Sequence, residues 1–247
     1  EYKQYESVHR NFKWNKPIID FVRFDNDSPL DEQVLRQHFA ITAGQALDIN
    51  EIESGIETLY GLDVFQTVRY DIVNEDDKTG LIVNTKQKAW GTDSIQSGIE
   101  LSSDFTGQSS FNLGFAYTKH PLNSLNGEWR TAVQLGEDLG FLTEIYQPLD
   151  TAGRYFVSAG ISWSNQDVRL FSDLDGRADA EYEVEKWELR TAIGRNIGKW
   201  GEVRIGLSRF VGDADVAVGP TSFENFDFDD GYFFARATVE TLDNLHF

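Results

Sequence analysis

From residue 94 onward the chain repeats one pattern: short runs of alternating apolar and polar residues, separated by turns rich in Gly, Asn, Asp and Pro. Residues 109–136, SSFNLGFAYTKHPLNSLNGEWRTAVQLG, carry it twice around a single turn. A period of two puts successive side chains on opposite faces of a strand, so each run has one apolar face and one of different chemistry. Such runs are predicted at 94–104, 108–119, 127–137, 140–148, 154–165, 180–196, 201–212 and 231–242, with no helix-length segment between them. Strands joined only by turns build an antiparallel sheet, either a soluble sandwich or a barrel.

The composition of the two faces separates these cases. One carries Phe111, Leu113, Phe115 and Tyr117, then Trp129, Val133 and Leu135, then Tyr155, Val157, Ile161 and Trp163, then Trp187, Leu189, Ile193, Val203, Ile205 and Leu207. The other carries Asn112, Gly114, Ala116, Arg130, Gln134, Gly136, Ser162, Lys186, Glu188, Arg190, Gly194, Arg204, Gly206 and Arg236. A water-facing sheet surface is normally covered by long polar side chains, and glycine leaves a strand uncovered. In an outer-membrane barrel the apolar face meets lipid, and small or charged residues line the interior. The pattern therefore favours a barrel with Asn112, Arg130, Gln134, Lys186, Glu188, Arg190, Arg204 and Arg236 as lumen-lining residues, where Arg, Lys and Glu can pair across the interior. Tyr117, Trp129, Tyr146, Tyr155, Trp163 and Trp200, near strand ends, fit interfacial girdles. The connections HPLNSLNGE, QPLDTAGR and NIGKWGE are short. NQDVRLFSDLDGRADAE and GDADVAVGPTSFENFDFDD, on the opposite side, are predicted as long acidic loops. A soluble acidic β-rich binding protein is the reading from another class.

Residues 17–90 follow different rules. PIIDFVRF reads as a strand, and Ser28 before Pro29, with Asp31 three residues on, marks a helix start ahead of Leu30, Val34, Leu35 and Phe39. A second helix has Asp48 as its N-cap, Glu51 at its third position, a stripe of Ile49, Ile52, Ile56 and Leu59, and Gly61 as its stop. Two strands follow at 64–73 and 80–88, joined by the acidic turn NEDDKT. The order is strand, helix, helix, strand, strand.

That order, with IIDFVRFDN, GQALDINEIESGIETLYGLDVFQTVRY and LIVNTKQK, resembles a POTRA domain, the periplasmic module that precedes outer-membrane transport and insertion barrels. The resemblance implies that the domain guides exported chains by pairing them with a sheet edge, here expected within Val64 to Val73, with Val64, Phe65, Gln66, Thr67, Val68, Arg69 and Tyr70 as candidate client-binding residues. GIELSSDFTGQSSFNLGFAYT, NSLNGEWRTAVQLG, EIYQPLDTAGRYFVSAGISW and GRNIGKWGEVRIGLSR resemble the start of the surface-antigen-type barrel. Within that group the likeness is to patatin-like phospholipase autotransporters, in which passenger, one POTRA domain and barrel share a polypeptide. It implies three segments: a linker from an N-terminal passenger at 1–16, a POTRA domain at 17–90, and the N-terminal half of an outer-membrane barrel at 91–247, about the first eight strands. The closing TLDNLHF is expected to open a motif that continues the barrel.

The implied role is a translocator or anchor in the bacterial outer membrane, its POTRA domain in the periplasm, displaying or secreting a lipase passenger. Implied partners are outer-membrane lipid, the chain's own passenger, the outer-membrane assembly machinery and periplasmic chaperones, with a second copy of the chain as a further one. An insertase or two-partner secretion transporter, acting on a separate client, is the alternative within the same superfamily.

Catalytic and cofactor chemistry finds no foothold in the residues. GISWS at 160–164 lacks the second glycine of a nucleophile elbow, so Ser162 is expected to fill the lumen and the chain to be no enzyme. His9, His38, His120 and His246 are scattered, ENFDFDDG and SDLDGRADAE miss calcium-loop positions, and neither metal nor cofactor is expected. There is no cysteine, hence no disulfide and no thiolate chemistry. With 41 Asp and Glu against 22 Lys and Arg, a net charge of −19 argues against nucleic acid as a partner.

Overall fold

The computed structural model describes residues 17–103, 109–170, 179–198 and 200–239. The predicted linker 1–16, most of the loop SDLDGRADAE, TLDNLHF, His9 and His246 lie outside them. The chain divides into two compact units, one formed by residues up to Ser28 with Glu32–Gly91, the other by Pro29–Asp31 with the chain from Thr92 onward.

The first unit runs β1 (Phe21–Asp27), α1 (Glu32–Phe39), α2 (Ile49–Tyr60), β2 (Phe65–Glu75) and β3 (Lys78–Gln87). Its sheet has the order β1-β3-β2, with β1 parallel and β2 antiparallel to the central β3. Val34, Leu35 and Phe39 from α1 and Ile52 and Leu59 from α2 are buried with Val64, Leu81 and Val83. Phe39 meets Phe24 edge to face at 5.6 Å and lies over Gly55, where a Cβ would fall 2.7 Å from the ring.

Three local expectations are corrected. The first helix begins at Glu32 rather than behind Ser28, whose hydroxyl donates to Asn26 Oδ1 at 2.7 Å. Asp48 does cap α2, accepting from the Asn50 amide at 3.0 Å, but Ile49 is 51% exposed and does not join the buried stripe of Ile52 and Leu59. The acidic turn is tighter than expected: Asp76 and Asp77 both take positive φ, the geometry of a two-residue hairpin turn that Asp tolerates, so the strands extend to Glu75 and from Lys78.

The second unit is a meander of β4 (Ser94–Ser103), β5 (Ser109–Lys119), β6 (Glu128–Gly136), β7 (Leu139–Pro148), β8 (Tyr155–Leu170), β9 (Ala180–Ile197), β10 (Gly201–Val218) and β11 (Phe226–Val239). Each strand pairs antiparallel with its neighbour in sequence, giving one eight-stranded sheet with β4 and β11 at its edges among the described residues. The predicted long loop GDADVAVGPTSFENFDFDD is mostly strand, since β10 runs to Val218 and β11 resumes at Phe226, and ENFDFDDG runs into β11. Its acidic residues alternate with Ala214, Val216, Phe226 and Phe228, a strand period hidden by its charge. Among the described residues no helix is long and apolar enough to cross a membrane, which leaves crossing by strands untouched.

Candidate functional site: two faces of one sheet

The register aligns residues of like parity across β8 to β11, so one face can be followed from strand to strand. Ile161, Leu189 and Arg209 share one face, and Ser162, Glu188 and Phe210 the other. Adjacent residues show the contrast: Leu189 is 54% exposed and Glu188 only 7%. Across the pair on β10, Ile205 is 58% exposed and Ser208 is 3%. The crowded face, here termed inner, is the polar one, and the open, outer face is apolar. A sheet folded for water does the reverse.

The outer face is bounded. On β8 the apolar stretch runs from Tyr155 to Trp163, nine residues, which matches the roughly 9–11 residues of a tilted strand crossing a bilayer. Trp163 and Trp187 lie directly opposite each other with ring centroids 6.4 Å apart, and the Trp163 indole donates to Glu185 Oε1 at 2.8 Å. Beyond these tryptophans the outer face turns acidic, with Asn165, Glu185, Asp213 and Asp227 in one register row and Asp167, Glu183 and Asp215 in the next. There the inner face becomes apolar, with Ala180, Tyr182 and Ala214 buried against Val184, Val216 and Phe223. The polarity of the two faces therefore inverts within continuous strands. At the other end of the apolar stretch, Tyr117 packs on Trp129 at 6.1 Å and Tyr155 lies under Arg195 at 5.6 Å. Tyr146, expected in that girdle, is instead on the inner face, its ring 4.7 Å from Phe156 and its hydroxyl accepting from Asn196 Nδ2 at 2.9 Å. Its parity matches Glu144, not Ile145.

The expected lumen residues all take inner-face register positions, and they separate into groups. Glu188 is the hub, accepting from Ser208 Oγ at 2.5 Å, Arg190 at 2.5 Å, Lys186 at 3.4 Å and the Tyr232 hydroxyl at 3.4 Å. Arg204 pairs with Glu202 and stacks over Phe156 at 5.2 Å. It lies opposite Arg236, which has no ion pair among the described residues. Asn112 accepts from the Asp138 amide at 3.0 Å and donates to its carboxylate at 3.1 Å, fixing the end of a hairpin. Arg130 stands between Thr118 and Glu144, and Gln134 between Gly114 and Gly140.

The glycines do more than leave room. The ring of Phe156 reaches across to Gly194, that of Phe234 to Gly206 and that of Phe228 to Gly212, each to within 2.2–2.6 Å of where a Cβ would stand. Each pair is directly opposed across neighbouring strands, so an aromatic ring covers backbone that glycine leaves bare. Phe156, Ser208, Phe210, Phe228, Tyr232 and Phe234 are inner-face residues that the reading of small and charged positions missed. Strand parity was the available signal. Ser162 sits mid-strand opposite Glu188, and among the described residues no group of three or more His, Cys, Asp or Glu is placed to hold a metal ion.

In the first unit β2 is an edge strand, but Val64 precedes it, and Val64, Phe65 and Val68 turn buried side chains into the core. The Val68 amide, which points away from β3, donates to the Tyr60 hydroxyl at 2.9 Å. By the alternation of an antiparallel ladder, the amides of Tyr70, Ile72 and Asn74 point the same way. The open part of this edge is therefore displaced from Val64–Tyr70 toward Tyr70–Asn74.

These faces define a class by fold: a small mixed α/β unit followed by an antiparallel meander whose apolar side is outside. A solved structure shares the antiparallel sheet fold. The chain is similar to BamA from Haemophilus ducreyi, in a crystal structure lacking POTRA domains 1-3, with a TM-score of 0.64, 14% identity and coverage of 88% of this chain and 42% of that one. It also matches CdiB from Acinetobacter baumannii, with a TM-score of 0.49 and 10% identity over 91% of this chain and 46% of that one. For CdiB from Escherichia coli the TM-score is 0.48, with 15% identity over 92% and 43%. The chain thus spans less than half the length of each. At such identities the likeness to BamA establishes fold alone. No protein-family model and no curated protein sequence matches the chain.

Proposed function

We propose that this chain is the periplasmic and membrane-wall part of an outer-membrane polypeptide translocator, with the first unit a POTRA domain and the meander a segment of a transmembrane barrel. The observation that carries this reading is the inversion of face polarity beyond Trp163 and Trp187. Below it the outer face of β8 and β9 is apolar, as hydrocarbon requires, with the Arg209–Asp229 ion pair as the polar exception on β10 and β11; above it the outer face is acidic and the inner face packs like a soluble sheet. The tryptophans mark the lipid boundary, and the polar edge of Trp163 reaches the acidic side.

The chain's role in this reading is non-catalytic. The free edge at Tyr70–Asn74 offers main-chain pairing to an extended client, and the inner face keeps the interior polar. Outer-membrane lipid, assembly machinery, periplasmic chaperones and a second copy of the chain remain its proposed partners. Whether the client is an N-terminal passenger of lipase type or a separate polypeptide is decided by the reading frame upstream of Glu1: a lipase domain there selects the first, further POTRA repeats the second. The membrane assignment is tested by expression without detergent. The chain is expected to need detergent or lipid, and a monodisperse, cooperatively melting monomer in plain buffer would overturn the proposal.

A further inference from the structure

The inner face carries a feature that a merely polar interior does not need. The rings of Tyr182, Phe226, Phe228, Phe210, Tyr232 and Phe234 follow one another in unbroken contact, with successive centroids 5.8, 6.4, 6.0, 6.2 and 6.2 Å apart. Along β11 the row would break at Asp230, and Phe210, directly opposite on β10, fills the gap. Phe226 to Phe234 covers about 27 Å of extended strand. Covering Gly212 and Gly206 accounts for Phe228 and Phe234 but not for Phe210 or Tyr232. Beyond Tyr182, which is buried, the row opens, Phe226 being 54% and Tyr232 44% exposed.

We infer that this aromatic row is a docking track for an extended polypeptide with an apolar side chain at every second residue and a carboxylate at the end that meets Arg236. The inference rests on the translocator reading above and names the surface the moving chain uses. An extended chain repeats same-side residues every ~6.6 Å, close to the spacing of the rings, so consecutive apolar side chains can each meet one ring. Charge sets the rest of the specificity. Lys186 lies over Phe210 at 6.0 Å and Arg190 over Phe234 at 5.9 Å, while Glu188 is already engaged by its own donors. Arg236 is the next same-face residue beyond Phe234, without an ion pair among the described residues, and faces Arg204. Arg204 is held by Glu202, so a peptide carboxylate would complement Arg236.

The test uses the full chain in lipid nanodiscs and fluorescent nine-residue probes of sequence Phe-Ser-Phe-Ser-Phe-Ser-Phe-Ser-Asp. This probe is expected to bind, its all-Ser counterpart to fail, and the double variant Phe210→Ser/Tyr232→Ser to lose about tenfold in affinity, two ring contacts of about 0.5–1.5 kcal/mol each. Replacing the probe's Asp by Lys should weaken binding, and Arg236→Gln should erase that difference. Because the chain has no cysteine, Asp230→Cys, which removes no ring of the row, and Gln134→Cys can each carry a cross-linker, and only the first should capture the probe. Equal binding of both probes, equal capture at both positions, or binding of maltohexaose in place of peptide would overturn the track. A lipid-quenched label at Leu189→Cys reports insertion independently: quenching without peptide binding sinks the track alone, and absence of quenching sinks the translocator reading with it.

Discussion

Glu188→Ala is expected to be among the most damaging single truncations in the meander. The side chain is 8% exposed and holds four donors from three strands, Lys186 and Arg190 on its own strand, Ser208 on β10 and Tyr232 on β11. Removing the carboxylate leaves the buried Ser208 hydroxyl without this acceptor, a loss of about 1–3 kcal/mol. It also leaves two cations two residues either side of a void. Their partial exposure screens the repulsion, so the further cost is about 1 kcal/mol or less. The sum is about 1–4 kcal/mol. Glu188→Gln preserves shape and an acceptor and should lose about half as much, and Ser208→Ala about 1 kcal/mol. The two positions touch, so Glu188→Ala/Ser208→Ala should fall short of the sum of the single effects by about 1 kcal/mol. Urea unfolding of the protein in micelles, followed by tryptophan fluorescence, gives these values from midpoints at constant slope. A Glu188→Ala loss under about 0.5 kcal/mol would refute the hub, because the carboxylate would then be hydrated rather than shared.

Leu189→Arg, one residue away on the outer face, should cost about 2–4 kcal/mol in lipid vesicles and little in a detergent that hydrates the arginine, measured by the same unfolding assay. Gly194→Ala forces a Cβ to 2.2 Å from the Phe156 ring and should cost about 1–3 kcal/mol, with Phe156→Leu in the same chain restoring part of it. In the turn between β7 and β8, burial would raise the Asp150 pKa, but the amides of Arg154, Tyr155 and Ala152 and the Arg154 charge outweigh it and hold the carboxyl below its ordinary value. That stabilisation is complete above the unfolded pKa of about 3.9 and is lost as pH falls through the lower native value. Asp150→Asn should therefore melt below the parent at pH 7, and the gap should close in acid.

The sidedness of the strands was legible because a period of two needs no knowledge of neighbours: Phe111, Leu113 and Phe115 declare one face, Asn112 and Gly114 the other. Cross-strand geometry was not legible. That Glu188 meets Ser208, or Phe156 covers Gly194, depends on register set by turns, and nothing local in either strand records its partner. The upper parts of β10 and β11 read as loop because Asp213, Asp215 and Asp227 suggested solvent, although they alternate with Ala214, Val216 and Phe226 in strand rhythm. The rhythm was intact; only the side facing water had changed. In the first unit, Asp48 and Gly61 announced α2 through local chemistry, whereas Ser28 misled because its hydroxyl had a nearer partner in Asn26.

The account stands on which face meets lipid. Single cysteines placed in this cysteine-free chain at Leu189, Ile193 and Ile205 on the outer face, at Ser162 and Ala192 on the inner face, and at Glu185 beyond the tryptophans can each carry an environment-sensitive dye in vesicles. Brominated acyl chains should quench the first three and spare the others, while aqueous iodide should reach the dye at Glu185 although that residue shares the face of Leu189. Iodide quenching at Leu189 without quenching by brominated lipid would contradict the account, since the apolar face would then lie in water.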